Sequence, residues 1–217
     1  LTKAIADSKF DTVKLARDIN ISNSLTVNRK VTLDLNGFVL KYQNDSQRGS
    51  VIVVENGGQL TIEDSNTSKP SHKFMPDTNG LWVSNENGTE TVTGGVITGG
   101  TGKPIQYGGS GHSYYTYYGG GVYIAPGGQL TMTGGNIIGC SAECGGGVCI
   151  DPGQTGEQSQ FSMSGGSIAG CVASNIGGGV RASGKFQMSG PAVIRNCTVE
   201  STDQSISGGG VYVDGSS

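Results

Sequence analysis

A chain of 217 residues with 39 glycines, 14% charged residues and 6% aromatics holds too little bulky apolar mass for a thick spherical core. Glycine interleaved with Val, Ile, Thr and Tyr, without a collagen period, points instead to many short strands joined by tight turns, with disorder as the lesser alternative. The net charge of −3 and the lack of a Lys/Arg cluster argue against nucleic acid, and no apolar run is long enough to span a bilayer as a helix.

Taken in chain order, Leu1 to Ser8 reads as a short helical cap, with Thr2 as its N-cap and Leu1, Ala4 and Ile5 turned inward. The stretch VKLARDINISNSLTVNRKVTLDLNGFVL (13–40) alternates apolar and polar residues as strands do. SVIVVENGGQLTIED (50–64) predicts two strands, and GLWVSNENGTETVTGGVITGG (80–100) predicts three of the same kind. An insertion, GKPIQYGGSGHSYYTYYGGG (102–121), carries Tyr107, Tyr114, Tyr115, Tyr117 and Tyr118.

From there the chain repeats itself. GGGV recurs at Gly119, Gly145, Gly177 and Gly208, at spacings of 26, 32 and 31 residues. Each copy holds three strand-like segments separated by glycine turns, as in GGGVYIAPGGQLTMTGGNIIGC (119–140). Period-two alternation puts Val122, Ile124, Leu130, Met132 and Ile137 inside, and Tyr123 and Thr131 outside. Stacking each strand on its equivalent, roughly 4.8 Å away, turns repetition into packing. The expected architecture is all-β: a single right-handed parallel β-helix of about seven coils with a helical N-terminal cap. Propeller blades need four strands and about forty residues, more than these periods supply. One domain is expected over 1–217, with a cap and first strands at 1–24, irregular coils with insertions at 25–118 and regular repeats at 119–217. Because GGGVYVDGSS stops in mid-repeat, the natural chain is expected to continue beyond Ser217.

The GGGV and IxxC strings resemble the Gly-rich repeats of the pectate-lyase-like right-handed β-helix superfamily. They are especially similar to those of chlamydial polymorphic outer-membrane proteins, whose GGA(I/V/L) and FxxN motifs alternate in the same way. The likeness is close over 119–217 and looser before it, and Cys140, Cys171 and Cys197 stand where that family has Asn. It implies a bacterial surface or extracellular location and adhesion. Lyases of the superfamily bind Ca²⁺ through clustered carboxylates and use a basic residue to remove a proton; the nearest constellation here is Arg181 with Asp151 and Asp214, more simply read as solvated turn residues.

Other chemistry has little support in the residues. His72 and His112 lack ligand-spaced neighbours, the five cysteines contain no CxxC pair, and no cofactor or metal is expected. Cys140, Cys171 and Cys197 are expected to stack as neighbours, as small buried thiols or with a disulfide between adjacent coils. In repeat register the outward position of the first strand is occupied by Val53, Trp82, Tyr123, Cys149, Arg181 and Tyr212, and that of the second by Thr61, Thr91, Thr131, Ser162 and Gln187. The expected ligand-binding platform joins Trp82, Tyr123, Arg181 and Tyr212 to Tyr107, Tyr114, Tyr115, Tyr117 and Tyr118 of the insertion, since tyrosine offers apolar area and a hydroxyl at modest entropic cost. These residues point to a monomeric, non-catalytic extracellular domain that binds carbohydrate or a cell-surface protein. A polysaccharide lyase acting on acidic glycans and a structural spacer are the alternatives.

Overall fold

The computed structural model describes residues 1–68, 70–109, 112–152, 158–200 and 208–214. It is all-β, with one five-residue helix, Thr2–Ala6, among the described residues. Three parallel sheets of six strands form its body. Sheet I runs Thr12–Lys14, Lys30–Asp34, Gln59–Glu63, Gln129–Met132, Gln160–Met163, Lys185–Met188. Sheet II runs Ile19–Ile21, Val39–Tyr42, Val96–Thr98, Asn136–Ile138, Ser167–Ala169, Val193–Arg195. Sheet III runs Leu25–Val27, Ile52–Val54, Val122–Ile124, Val148–Ile150, Val180–Ala182, Val211–Val213. Spatial order follows chain order within each of these three sheets, and the chain visits sheets I, II and III in unchanging rotation.

Register converts the sequence repeat into ladders. Leu130 pairs with Leu60 and Phe161, and Met132 with Ile62 and Met163. Val122, Val148, Val180 and Val211 form one file, the first three fully buried. Residues from all three sheets, among them Leu33, Ile97 and Val54, share a single hydrophobic core. Val122, Ile124, Leu130, Met132 and Ile137 lie inside as expected. Each of these β-branched or long apolar side chains removes its area from water against an equivalent neighbour, worth roughly 1.5–3 kcal/mol apiece.

Within the GGGV triplets the three glycines do different work. The first takes a left-handed backbone, with φ of 59° at Gly119, 69° at Gly145 and 66° at Gly177. The next two have ordinary φ, but a Cβ on either would strike the backbone of the following triplet, as at Gly120 against the Gly146 carbonyl. The corner therefore needs glycine for closeness as much as for torsion.

Four features differ from the sequence reading. The helix N-cap is Leu1, with no side-chain cap, rather than Thr2; Ile5 is buried, and Arg29 donates from Nε to the Ile5 carbonyl at 2.7 Å. The regular copies carry a fourth strand, Ser141–Cys144, Val172–Ile176 and Thr198–Val199, which builds sheet IV. Residues 80–100 are not a third set of in-register strands. Only Val96–Thr98 joins sheet II, while Ser71–Pro76, Trp82–Ser84 and Glu90–Thr93 form a separate antiparallel sheet. Thr91 therefore stands outside the polar ladder of sheet I, where Thr61, Thr131, Ser162 and Gln187 are in register. Asp64 ties this departure down by accepting the amides of Gly37 and Gly95, each at 2.7 Å. Gly215 to Ser217, where the chain was expected to run on, lie outside the described residues.

Cys140, Cys171 and Cys197 occupy equivalent places, each beside the third glycine of a triplet. All five cysteines are free thiols. The column is thus a file of small apolar groups, each sulfur also directed at the carbonyl two residues before it.

Candidate functional site

The outer file of sheet III is Thr26, Val53, Tyr123, Cys149, Arg181 and Tyr212. Five of these are the expected outward residues, but most are not open to solvent. Strands Lys103–Gly109 and His112–Tyr118 pair as an antiparallel hairpin whose last residue, Tyr118, pairs with Cys144 in sheet IV. Ile105 and Tyr118 pack over Val53, Tyr123 and Cys149, leaving Tyr123 2% exposed and Cys149 buried. The tip residues Ser110 and Gly111 lie outside the described residues.

Alternation along the hairpin divides its tyrosines between two faces. Tyr107, Tyr114 and Tyr118 share one. Tyr107 stacks on Tyr114 with centroids 5.8 Å apart and meets Tyr118 at 6.4 Å, and Tyr118 in turn meets Tyr123 at 6.4 Å. The Tyr107 and Tyr118 hydroxyls are 3.1 Å apart. Tyr115 and Tyr117 lie on the other face, where the Arg48 guanidinium sits 3.7 Å above the Tyr117 ring. The file therefore has a buried end at Tyr123 and an open end at Tyr114, 62% exposed, while Tyr115 on the other face is 53% exposed.

Polar contacts anchor the closed end. The Tyr123 hydroxyl donates to Asp151, and Lys103 bridges to Glu55 at 3.1 Å while lying over the Tyr123 ring. Burial, then the Asp151 hydrogen bond, pushes the Tyr123 hydroxyl far above the ordinary tyrosine range; burial and Tyr107 do the same to Tyr118. Arg181 reaches Asp214 at 3.1 Å and the Cys149 sulfur at 3.7 Å, with its carbon 5.5 Å from the Tyr118 ring centre. Burial disfavours its charge, but Cys149, Cys144 and Tyr118 offset this, so Arg181 holds its proton more tightly than an ordinary arginine. Burial drives the Cys149 thiol up to about 12 and Cys144 up to about 11.

Trp82 is not part of this assembly. It lies 2% exposed between the antiparallel sheet and the outer side of sheet II, packed with Phe74, Val92, Val96, Ile138 and Ala169, beneath Arg195 at 4.8 Å. A ring placed in sequence register on sheet III is thus diverted to another face, because its strand pairs antiparallel with Ser71–Pro76 instead of stacking. Tyr212 is half-buried beside Arg181 at the end of the outer file.

A second concavity was not legible in the sequence. Against sheet IV lies an open cleft of about 270 Å³, floored by Ser141, Ala142, Val172 and Ser174, with Arg48, Glu200 and the Asp77–Leu81 turn as walls. Its parts come from segments more than a hundred residues apart, and none stands in a recognisable motif. Among the described residues no helix is long and apolar enough to cross a membrane, and no group of three or more His, Cys, Asp and Glu side chains is placed to hold a metal ion. No protein-family model matches the chain, and no curated protein or solved structure matches it.

Proposed function

We propose that the chain is a non-catalytic, extracellular binding domain whose three parallel sheets close into a right-handed β-helix, and that it takes carbohydrate through the tyrosine hairpin. The observation that carries this reading is the file Tyr114–Tyr107–Tyr118–Tyr123, packed and hydrogen-bonded at one end and open at the other. Rings held in place before the ligand arrives lose little entropy on binding, and tyrosine faces suit the apolar faces of sugar rings. The resemblance of the GGGV and IxxC repeats to bacterial surface proteins supports the location. An enzymatic reading built on Arg181 has poor support, since a base must give up and regain a proton at an accessible site, and this guanidinium is covered and ion-paired.

A glycan array read with the intact chain and with a Tyr107→Ser, Tyr114→Ser, Tyr115→Ser variant tests the proposal. Binding that the variant loses while keeping its melting temperature is the expected result. Equal binding by both proteins would reject the hairpin as the site, and an array without any bound glycan would favour a protein ligand or a spacer.

A further inference from the structure

We infer that the cleft on sheet IV is a second subsite, shaped for one neutral pyranose unit bearing adjacent hydroxyls. The inference rests on the carbohydrate reading above and names the class of sugar. Its volume of about 270 Å³ falls just below the roughly 300–1,000 Å³ of pockets that enclose drug-sized molecules, which suits about one sugar ring.

Both walls are fastened before any ligand arrives. On one side Arg48 donates from Nε to the Thr101 carbonyl at 3.0 Å and its plane rests on Tyr117 at 3.7 Å. Neighbouring backbone bonds hold the same loop, Thr101 N to the Gly49 carbonyl at 2.8 Å and Gly49 N to Thr101 Oγ1 at 3.1 Å. That leaves the two amino groups of Arg48 with no protein acceptor among the described residues. On the other side Asp77 Oδ1 accepts the amides of Asn79 and Leu81 at 2.8 and 3.0 Å, and Thr198 donates to the Asn79 carbonyl at 3.0 Å. The turn is thereby locked to sheet IV.

The charge of the lining selects among sugars. One guanidinium against the carboxylates of Asp77 and Glu200 makes a net charge of −1, which repels uronates and sulfated sugars. Adjacent hydroxyls, each both donor and acceptor, match a fixed guanidinium on one wall and carboxylates on the other. Ser141 and Ser174 supply small hydroxyls on the floor without filling it, and Leu81 adds one apolar contact. Tyr117 carries Arg48 on the face of the hairpin opposite the open Tyr114 ring, so the cleft and the tyrosine file present separate surfaces.

Titration of the ¹⁵N-labelled chain with methyl glucoside, methyl galactoside and methyl mannoside, and separately with galacturonate and glucosamine, tests this by amide shifts. The expected result is saturable shifts at Ser141 and Ser174 with at least one neutral pyranoside. Ser174→Tyr, which fills the floor from an exposed position, should abolish them, and Arg48→Lys should weaken binding about tenfold. Unchanged melting temperatures keep both variants interpretable. Shifts confined to Tyr114 and Tyr115 would overturn the cleft and leave the broader reading standing. Cleft shifts with galacturonate or glucosamine alone would overturn the neutral class. Absence of any shift overturns the subsite, while the glycan array decides the hairpin separately.

Discussion

The indole of Trp82 rests on Gly170, so closely that a Cβ at Gly170 would overlap the ring. Gly170 also has a left-handed φ of 57° and accepts the Trp82 amide at 2.9 Å. The antiparallel sheet is thus pinned to sheet II at one point by torsion, contact and a hydrogen bond together. Gly170→Ala should cost about 1–3 kcal/mol through overpacking and backbone strain, and Trp82→Ala about 3–5 kcal/mol through a cavity. Chemical denaturation of each variant checks this. An unperturbed midpoint for Trp82→Ala would mean that the antiparallel sheet does not dock as described.

Val148 sits in the middle of the file from Val122 to Val211 and is wholly buried. Val148→Asp places a carboxylate where no polar partner stands, a loss of more than about 4 kcal/mol that should leave little folded protein. Circular dichroism at room temperature reads the outcome directly, and a native β spectrum would contradict the burial.

The tyrosines should separate into two classes. Replacing the exposed rings Tyr114 and Tyr115 with Ser should shift the melting temperature by no more than a degree or two, since surface changes usually lie within about 0.5 kcal/mol. Tyr123→Ser removes a buried ring together with its Asp151 hydrogen bond and should cost about 3–5 kcal/mol. If both sets melted alike, the hairpin would not be packed over sheet III.

Cys149 gives a pH signature. Burial raises its folded-state thiol to about 12 from an ordinary value of 9.0, so the unfolded chain loses this proton first as pH rises. Its stabilising contribution is complete below about pH 9 and is lost progressively between there and about pH 12. The melting temperature of the native chain should fall over that window more steeply than that of Cys149→Ala. Parallel curves for the two would remove Cys149 as the source.

Thiol accessibility follows from the same burial. All five cysteines are free, and Cys140, Cys144, Cys149 and Cys171 are buried. Denatured, non-reduced protein should bind five equivalents of a thiol reagent, while the native chain should react first at the half-buried Cys197. A count of one or three under denaturing conditions would require disulfides in place of the thiol file.

Much of the fold was legible because its information is local and repeated. Inward and outward parity follows from period-two alternation, and a shared GGGV phase brings Val122, Val148, Val180 and Val211 into register without any long-range knowledge. The cysteine file follows from the same phase. Tertiary structure decided what the repeats cannot encode. Residues 80–93 alternate as well as any in-register strand does, yet pair antiparallel with Ser71–Pro76, because alternation reports a half-buried strand and not its partner. Tyr123 was legible as outward, but its burial depends on a hairpin that folds across sheet III. Arg48 meets Tyr117 only because the chain returns past the same corner after some seventy residues, and a contact made by that return leaves no periodic trace in the sequence.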